Sequence, residues 1–184
     1  MFRAREIGVE LDSKDPRVGL LVQKIKEAEN LGYQYEGADA SFEILLRDIL
    51  GDKINFFDLE GFRVIVEKRG KADTITEATI KVKAKEVVFH TASEGDGPVH
   101  ALDNALRKAL SSVYPELDQI RLADYKVRVL NEKEGTAARI RVLIQSTDGQ
   151  ETWGTVGVST DIIEASWQAL VDSIAYGLLK KEEN

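Results

Sequence analysis

The chain contains a duplicated unit, and the duplication restricts its fold more than anything else in the sequence. Gly95-Asp96-Gly97-Pro98-Val99-His100-Ala101 runs into an apolar stripe through Leu102, Ala105 and Leu106. Sixty-four residues later Ser159-Thr160-Asp161-Ile162-Ile163-Glu164-Ala165 runs into Ser166, Ala169 and Leu170. At that offset Ala101 meets Ala165, Ala105 meets Ala169 and Leu106 meets Leu170, at helical spacing on one face.

Each copy of the turn and helix follows alternating runs. In the first copy Phe62, Val64 and Val66 alternate with polar residues, Gly70 to Thr74 makes a turn-rich connector, and Ala78, Ile80, Val82 and Ala84 alternate with threonine and lysine. Val87 to Ala92 then leads to the glycine turn. In the second copy Tyr125, Val127 and Val129 answer the first run at an offset of 63, and Ala138, Ile140, Val142 and Ile144 answer the second at 60. Trp153 and Thr155 fall opposite Phe89 and Thr91, back at 64, which implies a shortened first hairpin and a lengthened connector over Ser146 to Gln150. Short connections favour antiparallel sheets, each with its apolar face under a helix.

Ahead of the repeat the period is helical. Asp15-Pro16 supplies a cap and a proline for the first helical position, Val18, Leu21, Val22, Ile25 and Ala28 form a stripe, and Gly32 stops it. Asp39 is expected to cap a second helix through Phe42, Leu45, Leu46, Ile49 and Leu50 to Gly51. Tyr33 and Tyr35, in the Gly32 to Gly37 loop, are expected to be exposed. The two stripes either pack on each other or dock on something outside the chain. The fold class is therefore α+β: a helical linker subdomain over 1–56, then two pseudo-symmetric βββα units over 57–117 and 118–184. Lys180 to Asn184 is expected to fray.

With 25 basic against 32 acidic residues the net charge is −7, which opposes a phosphate backbone, so no nucleic-acid partner is expected. There is no cysteine, and no apolar run reaches about 18 residues. The opening Met1 to Glu6 lacks a signal-peptide core. These features predict a soluble, cytoplasmic chain with no membrane association. No catalytic constellation is present: His90 and His100 belong to no metal-ligand spacing, there is no phosphate loop, and Gly95-Asp96-Gly97 lacks the third glycine of a dinucleotide fingerprint. No metal or cofactor is expected. The helix beginning at Pro98 leaves first-turn N–H groups for a carboxylate, with Asp161 available to an ammonium group, or else it is a bare cap.

At these residues the chain resembles a known family. The Gly95 to Ala101 run, Leu122-Ala123-Asp124-Tyr125 and Trp153 through Leu170 are similar to the C-terminal allosteric domain of the 2-isopropylmalate and citramalate synthases. Gly32 through Glu43 resembles the linker subdomain of the citramalate type. The resemblance implies a parent enzyme whose metal-dependent barrel condenses acetyl-CoA with a 2-oxo acid, pyruvate in the citramalate branch. No such barrel fits in this chain. It also implies a homodimer that binds an end-product amino acid between its units and acts on the catalytic barrel in cis or of the partner subunit. The effector implied is isoleucine for a citramalate synthase and leucine for a 2-isopropylmalate synthase; a purely structural dimer module is the other alternative. Carried over by resemblance, the effector site comprises Gly95, Gly97, Pro98 and Val99, then Leu122, Tyr125 and Val129, then Thr136 and Ala138, and is closed by Thr160, Asp161 and Ile162. Signal transfer is expected through the linker helices and their glycine-bounded loop.

Overall fold

A computed structural model describes residues 15–130, 135 and 137–183. Helix α1 (Pro16–Leu31) begins as the sequence predicts: Asp15 Oδ1 accepts the Arg17 N–H at 2.9 Å and proline fills the first turn. Gly32, at φ 104°, ends it in the left-handed conformation that favours glycine. Helix α2 (Asp39–Leu50) departs from expectation at its start. Ala38, not Asp39, holds the cap position, with no side-chain bond. Asp39 instead lies in the first turn, where its charge still favours the helix dipole.

The two stripes do meet, with Leu21 and Leu46 buried together and Ile25, Ile49 and Leu50 packed around them. Val22 of the expected stripe is 45% exposed and is not part of that contact. The expectation of exposed tyrosines is overturned. Tyr33 and Tyr35 are half-buried around Ala38, Val156 and Val158, and the Tyr33 hydroxyl donates to Gln168 Oε1 at 2.8 Å. Their apolar ring bodies gain more from burial than the glycine-flanked loop loses by being held.

Two βββα units follow, as the α+β reading requires. The first has β1 (Asp58–Glu67), β2 (Ile75–Ala84), β3 (Val87–Gly95) and α3 (Pro98–Leu110). A short 3-10 turn, Pro115–Gln119, leads to β4 (Arg121–Val129), β5 (Ile140–Thr147), β6 (Thr152–Ser159) and α4 (Ile162–Glu183). The sheets run in the orders β1-β2-β3 and β4-β5-β6, and the mapped pairings are antiparallel. On β2, Thr76, Ala78, Ile80, Val82 and Ala84 are buried, the expected alternation. α3 buries Ala101, Leu102, Ala105, Leu106, Ala109 and Leu110. Helix α4 continues through Lys180 to Glu183, so the expected fraying does not occur there.

The ladder corrects the repeat offsets. Thr76 pairs with Gly95 and Ile140 with Ser159; Ile80 pairs with Thr91 and Ile144 with Thr155; Lys83 pairs with Val88 and Thr147 with Thr152. Each pair is related by an offset of 64, so β5 answers β2 at 64, not 60, and the second connector is not longer. Both 60 and 64 are even, and a shift of four residues leaves every side chain on the same face, so alternation cannot separate them. Two hydrogen bonds confirm the register: Thr91 Oγ1 donates to Ala105 O at 2.8 Å, and Thr155 Oγ1 to Ala169 O at 2.7 Å. Ser146 thus stands where β2 has Val82, its hydroxyl accepting from Ser173 Oγ at 2.6 Å.

The β2–β3 turn has two central residues, Lys85 and Glu86, with φ of 45° and 65°. Both lie in the left-handed region that a two-residue hairpin of this type demands and that side chains disfavour. Glu86→Gly is expected to stabilise the protein by about 1 kcal/mol, since the ion pair it removes, to Lys83, is exposed and screened by solvent. The shift of the urea midpoint measures it.

By contacts the chain divides into two compact units. One holds the described residues up to Ile54 with Leu122–Tyr176, the other Asn55–Arg121 with the described residues from Gly177 onward. In the first, α2 packs on β6, and β6 is buried from Trp153 through Val158 on both of its faces. Among the described residues no helix is long and apolar enough to cross a membrane.

Candidate functional site

The residues proposed from the sequence belong to both units: Gly95, Gly97, Pro98 and Val99 to one, and Leu122, Tyr125, Val129, Ala138, Thr160, Asp161 and Ile162 to the other. Thr136 lies outside the described residues.

Strand β3 extends past its expected end to Gly95. A Cβ on Gly95 would lie 2.3 Å from Ala101 N and 2.7 Å from Ala101 Cα. Its missing side chain is therefore what lets the first turn of α3 rest on the strand. Gly97 differs. Its φ of −171° is extended backbone open to any residue, and no atom lies within 4 Å of where a Cβ would stand. Gly97 occupies the cap position of α3, no side chain caps that end, and Pro98 has no N–H to satisfy. The His100 ring folds back over the turn, with Nδ1 accepting the Asp96 N–H at 3.2 Å.

The second helix end is built otherwise. Asp161 Oδ1 accepts from Ile163 N at 2.7 Å and Glu164 N at 3.2 Å, and Ser159 Oγ accepts from Asp161 N at 3.1 Å. Gly97 O and Asp161 O each accept the N–H four residues on, from Ala101 and Ala165, both at 2.9 Å. Asp161 is thus the counterpart of Gly97 at the offset of 64. Its carboxylate closes the α4 end with an internal anion, while the α3 end has a hydrogen atom in that place. Around it, the Tyr125 hydroxyl donates to Ser166 Oγ at 2.8 Å, and that hydroxyl donates onward to Ile162 O at 2.6 Å. Val129 and Ile162 are 45% and 39% exposed, Thr160 is exposed, Leu122 is half-buried and Ala138 is buried.

Sequence reasoning passed over one further site. Val156 N–H donates to Ser41 Oγ at 3.0 Å, and Ser41 donates to Asp172 Oδ2 at 2.6 Å. A cavity of about 440 Å³ opens beside this chain, lined by Tyr33, Tyr35, Ile44, Lys53 and Asp172 among others. Burial pushes the Asp172 carboxyl up to about 6, against the Ser41 hydrogen bond that favours its charged form. Burial also pushes Tyr35 up to about 12, with Tyr33 and Asp172 adding to it. The signal was a lone acid inside the apolar run Leu170-Val171-Asp172-Ser173-Ile174-Ala175.

The Asp172 carboxyl binds protons more tightly folded than unfolded, so its contribution to stability is present below pH 3.8 and is lost as pH rises through about 6. Asp172→Asn keeps an acceptor for Ser41 and removes that loss. The variant is expected to be more stable than the parent at pH 7 by about 1–2 kcal/mol, allowing for solvent in the cavity, and equal to it near pH 3.8. Denaturation across pH 4–7 reads the difference.

Comparison with known proteins adds to this geometry. The LeuA allosteric (dimerisation) domain matches residues 36–178. An (R)-citramalate synthase of Geobacter sulfurreducens is 55% identical over 184 residues, 100% of this chain and 35% of that protein. One from Aquifex aeolicus is 50% identical over 185 residues, again 100% and 35%. A 2-isopropylmalate synthase of Methanocaldococcus jannaschii is 25% identical over 186 residues, 98% of this chain and 33% of that protein. The chain spans about a third of the length of the curated relatives it matches.

Proposed function

The chain belongs to the family of the LeuA allosteric (dimerisation) domain, and we propose that it senses isoleucine for a citramalate synthase, as a homodimer that feeds end-product level back to the parent enzyme. The matched region is a regulatory rather than a catalytic domain. In this reading the parent condenses acetyl-CoA with pyruvate on a barrel supplied in cis or by the partner subunit, in the cytoplasm. Residues 1–56 act as the linker, and 57–117 and 118–184 as the two halves of the sensor.

The observation that carries the reading is the uncapped α3 end at Gly97, set against its Asp161-capped counterpart. Two equivalent helix ends, one closed by its own carboxylate and one open, suit a ligand that brings a carboxylate to the open one. Val99, Leu122, Tyr125, Val129 and Ile162 are the apolar surface proposed for the side chain, and Gly95, Pro98, Thr136, Ala138 and Thr160 complete the site. Asp161 has one oxygen committed to its helix, so the ammonium is assigned to its other oxygen or to a backbone carbonyl.

Burying an isoleucine side chain contributes about 1.5–3 kcal/mol, and one methylene of misfit alters binding by about 1–3 kcal/mol. Calorimetric titration with isoleucine, leucine and valine tests the assignment. Isoleucine is expected to bind most tightly. Tighter leucine binding would favour the 2-isopropylmalate branch, and no saturable heat with any of the three would leave a purely structural dimerisation module.

A further inference from the structure

Three arginines of the second repeat stand together with no acid to answer them. β4 and β5 are neighbours in their sheet, and the Leu130 N–H donates to Arg139 O at 2.8 Å, so two residues further from the hairpin on each strand Arg128 and Arg141 face one another. Burial, and then the charge of Arg128, hold the Arg141 guanidinium below its ordinary range. Among the described residues Arg128, Arg139 and Arg141 make no ion pair. Like charges opposite one another in a ladder are destabilising. The repeat does not require them: in the first unit the counterpart of Arg141 at the offset of 64 is Glu77, which faces Ile65.

Helix α1 accounts for part of the arrangement. Arg139 Nη1 donates to Leu31 O at 3.1 Å, Arg141 Nε to Gly32 O at 2.6 Å, and Arg141 Nη1 to Gln34 Oε1 at 2.5 Å. Cations suit a helix C-terminus, and these bonds hold the linker loop against β5. Both guanidiniums still have N–H groups to spare, and Arg128, exposed on β4, takes no part in the capping. A cavity of about 600 Å³ opens where Arg139 and Arg141 meet the end of α1, wholly inside the unit of the linker helices. Leu31 and Leu130 give it apolar surface, Thr160 borders it, and the exposed Glu29 is the acid in its lining.

We propose that this cavity binds a pyrophosphate-bearing small molecule of nucleotide size, its phosphates bridging Arg128, Arg139 and Arg141 and its less polar part lying on Leu31 and Leu130. Guanidinium forks match phosphate oxygens bidentately, and an anion set between facing arginines turns their repulsion into attraction. A lone carboxylate would answer one of the three charges; a pyrophosphate answers all of them. The volume exceeds what a bare phosphate needs and is in the usual range for small-molecule sites. The net charge of −7 opposes a long phosphate backbone, so the ligand is a small molecule and not a nucleic-acid strand. Of the residues assigned to the effector, only Thr160 also borders this cavity, and the open α3 end belongs to the other unit.

The experiment titrates sodium pyrophosphate and ADP into the chain by calorimetry, at constant ionic strength and without divalent cations. Both are expected to saturate at one site per chain. Tighter binding of ADP assigns the site to a nucleotide, and equal binding assigns it to a free polyphosphate. Arg128→Glu places an acid opposite Arg141 at an exposed position, so it is expected to fold and to weaken both ligands by about tenfold or more. Arg69→Gln, which removes one exposed cation from the other unit, is expected to change nothing, and so is Gly97→Asp, which blocks the α3 end. A thermal melt of each variant confirms that it is folded. The proposal is overturned if neither anion saturates the parent chain, if Arg128→Glu binds them equally, if Arg69→Gln loses as much as Arg128→Glu, or if Gly97→Asp abolishes the binding. The last result would place the anion at the α3 helix end.

Discussion

Gly154→Ala is expected to destabilise the unit containing β6 by about 3 kcal/mol, the upper end of what overpacking costs. An alanine Cβ would lie 1.9 Å from Gly37 O, 2.9 Å from Gly37 C and 3.4 Å from Ala38 Cα. Those are backbone atoms, so no rotamer change relieves the collision. The Gly32 to Gly37 loop would have to lift from the strand, loosening the Ala38, Val156 and Val158 cluster and the Val156 to Ser41 hydrogen bond. Gly37→Ala is the control. Gly37 has φ of 76° and open space around it, so its substitution costs only about 1 kcal/mol of backbone strain. Urea denaturation separates the two, and a Gly154→Ala variant within 0.5 kcal/mol of the parent, the usual range of surface substitutions, would mean that the loop is not seated on β6.

Gly97→Asp is expected to reduce isoleucine affinity at the α3 helix end by at least tenfold while leaving the fold intact. The extended backbone at Gly97 accepts any residue, and the space beside it is clear. An aspartate there reproduces the Asp161 arrangement, in which one carboxylate oxygen takes two first-turn amides. It would add a few tenths of a kcal/mol to stability through capping. The same carboxylate fills the place proposed for the ligand's own, with like charge opposing it. Unchanged affinity in a folded variant would remove the α3 end from the effector site.

The helices were largely legible in the sequence because their signals are local. Asp15-Pro16 and Gly32 bracket α1, and Gly51 ends α2, through conformations that only a few residue types favour. The repeat was legible in the turn and helix, where the spacing of small residues is distinctive. It was misread on β5, because alternation fixes a face and not a register. Helix ends were legible as helix ends, yet Asp161 reads the same as a cap or as a ligand group until its oxygen is seen 2.7 Å from Ile163 N. The cavity at Asp172 was hidden for another reason: Tyr33 and Ser41 meet Asp172 only by tertiary contact, across more than a hundred residues.

The burial of β6 on both faces bears on how the two halves of the repeat have diverged. β3 alternates exposed and half-buried positions along its length, whereas β6 has none facing solvent between Trp153 and Val158. Thr155 is tied to α4 and its neighbour Val156 to the linker, so consecutive residues of one strand answer to different partners. The exposed positions of β3 have room for polar residues. β6 has lost that room to the linker, so a chimera carrying two copies of the first half would leave α2 without a surface it can sit on.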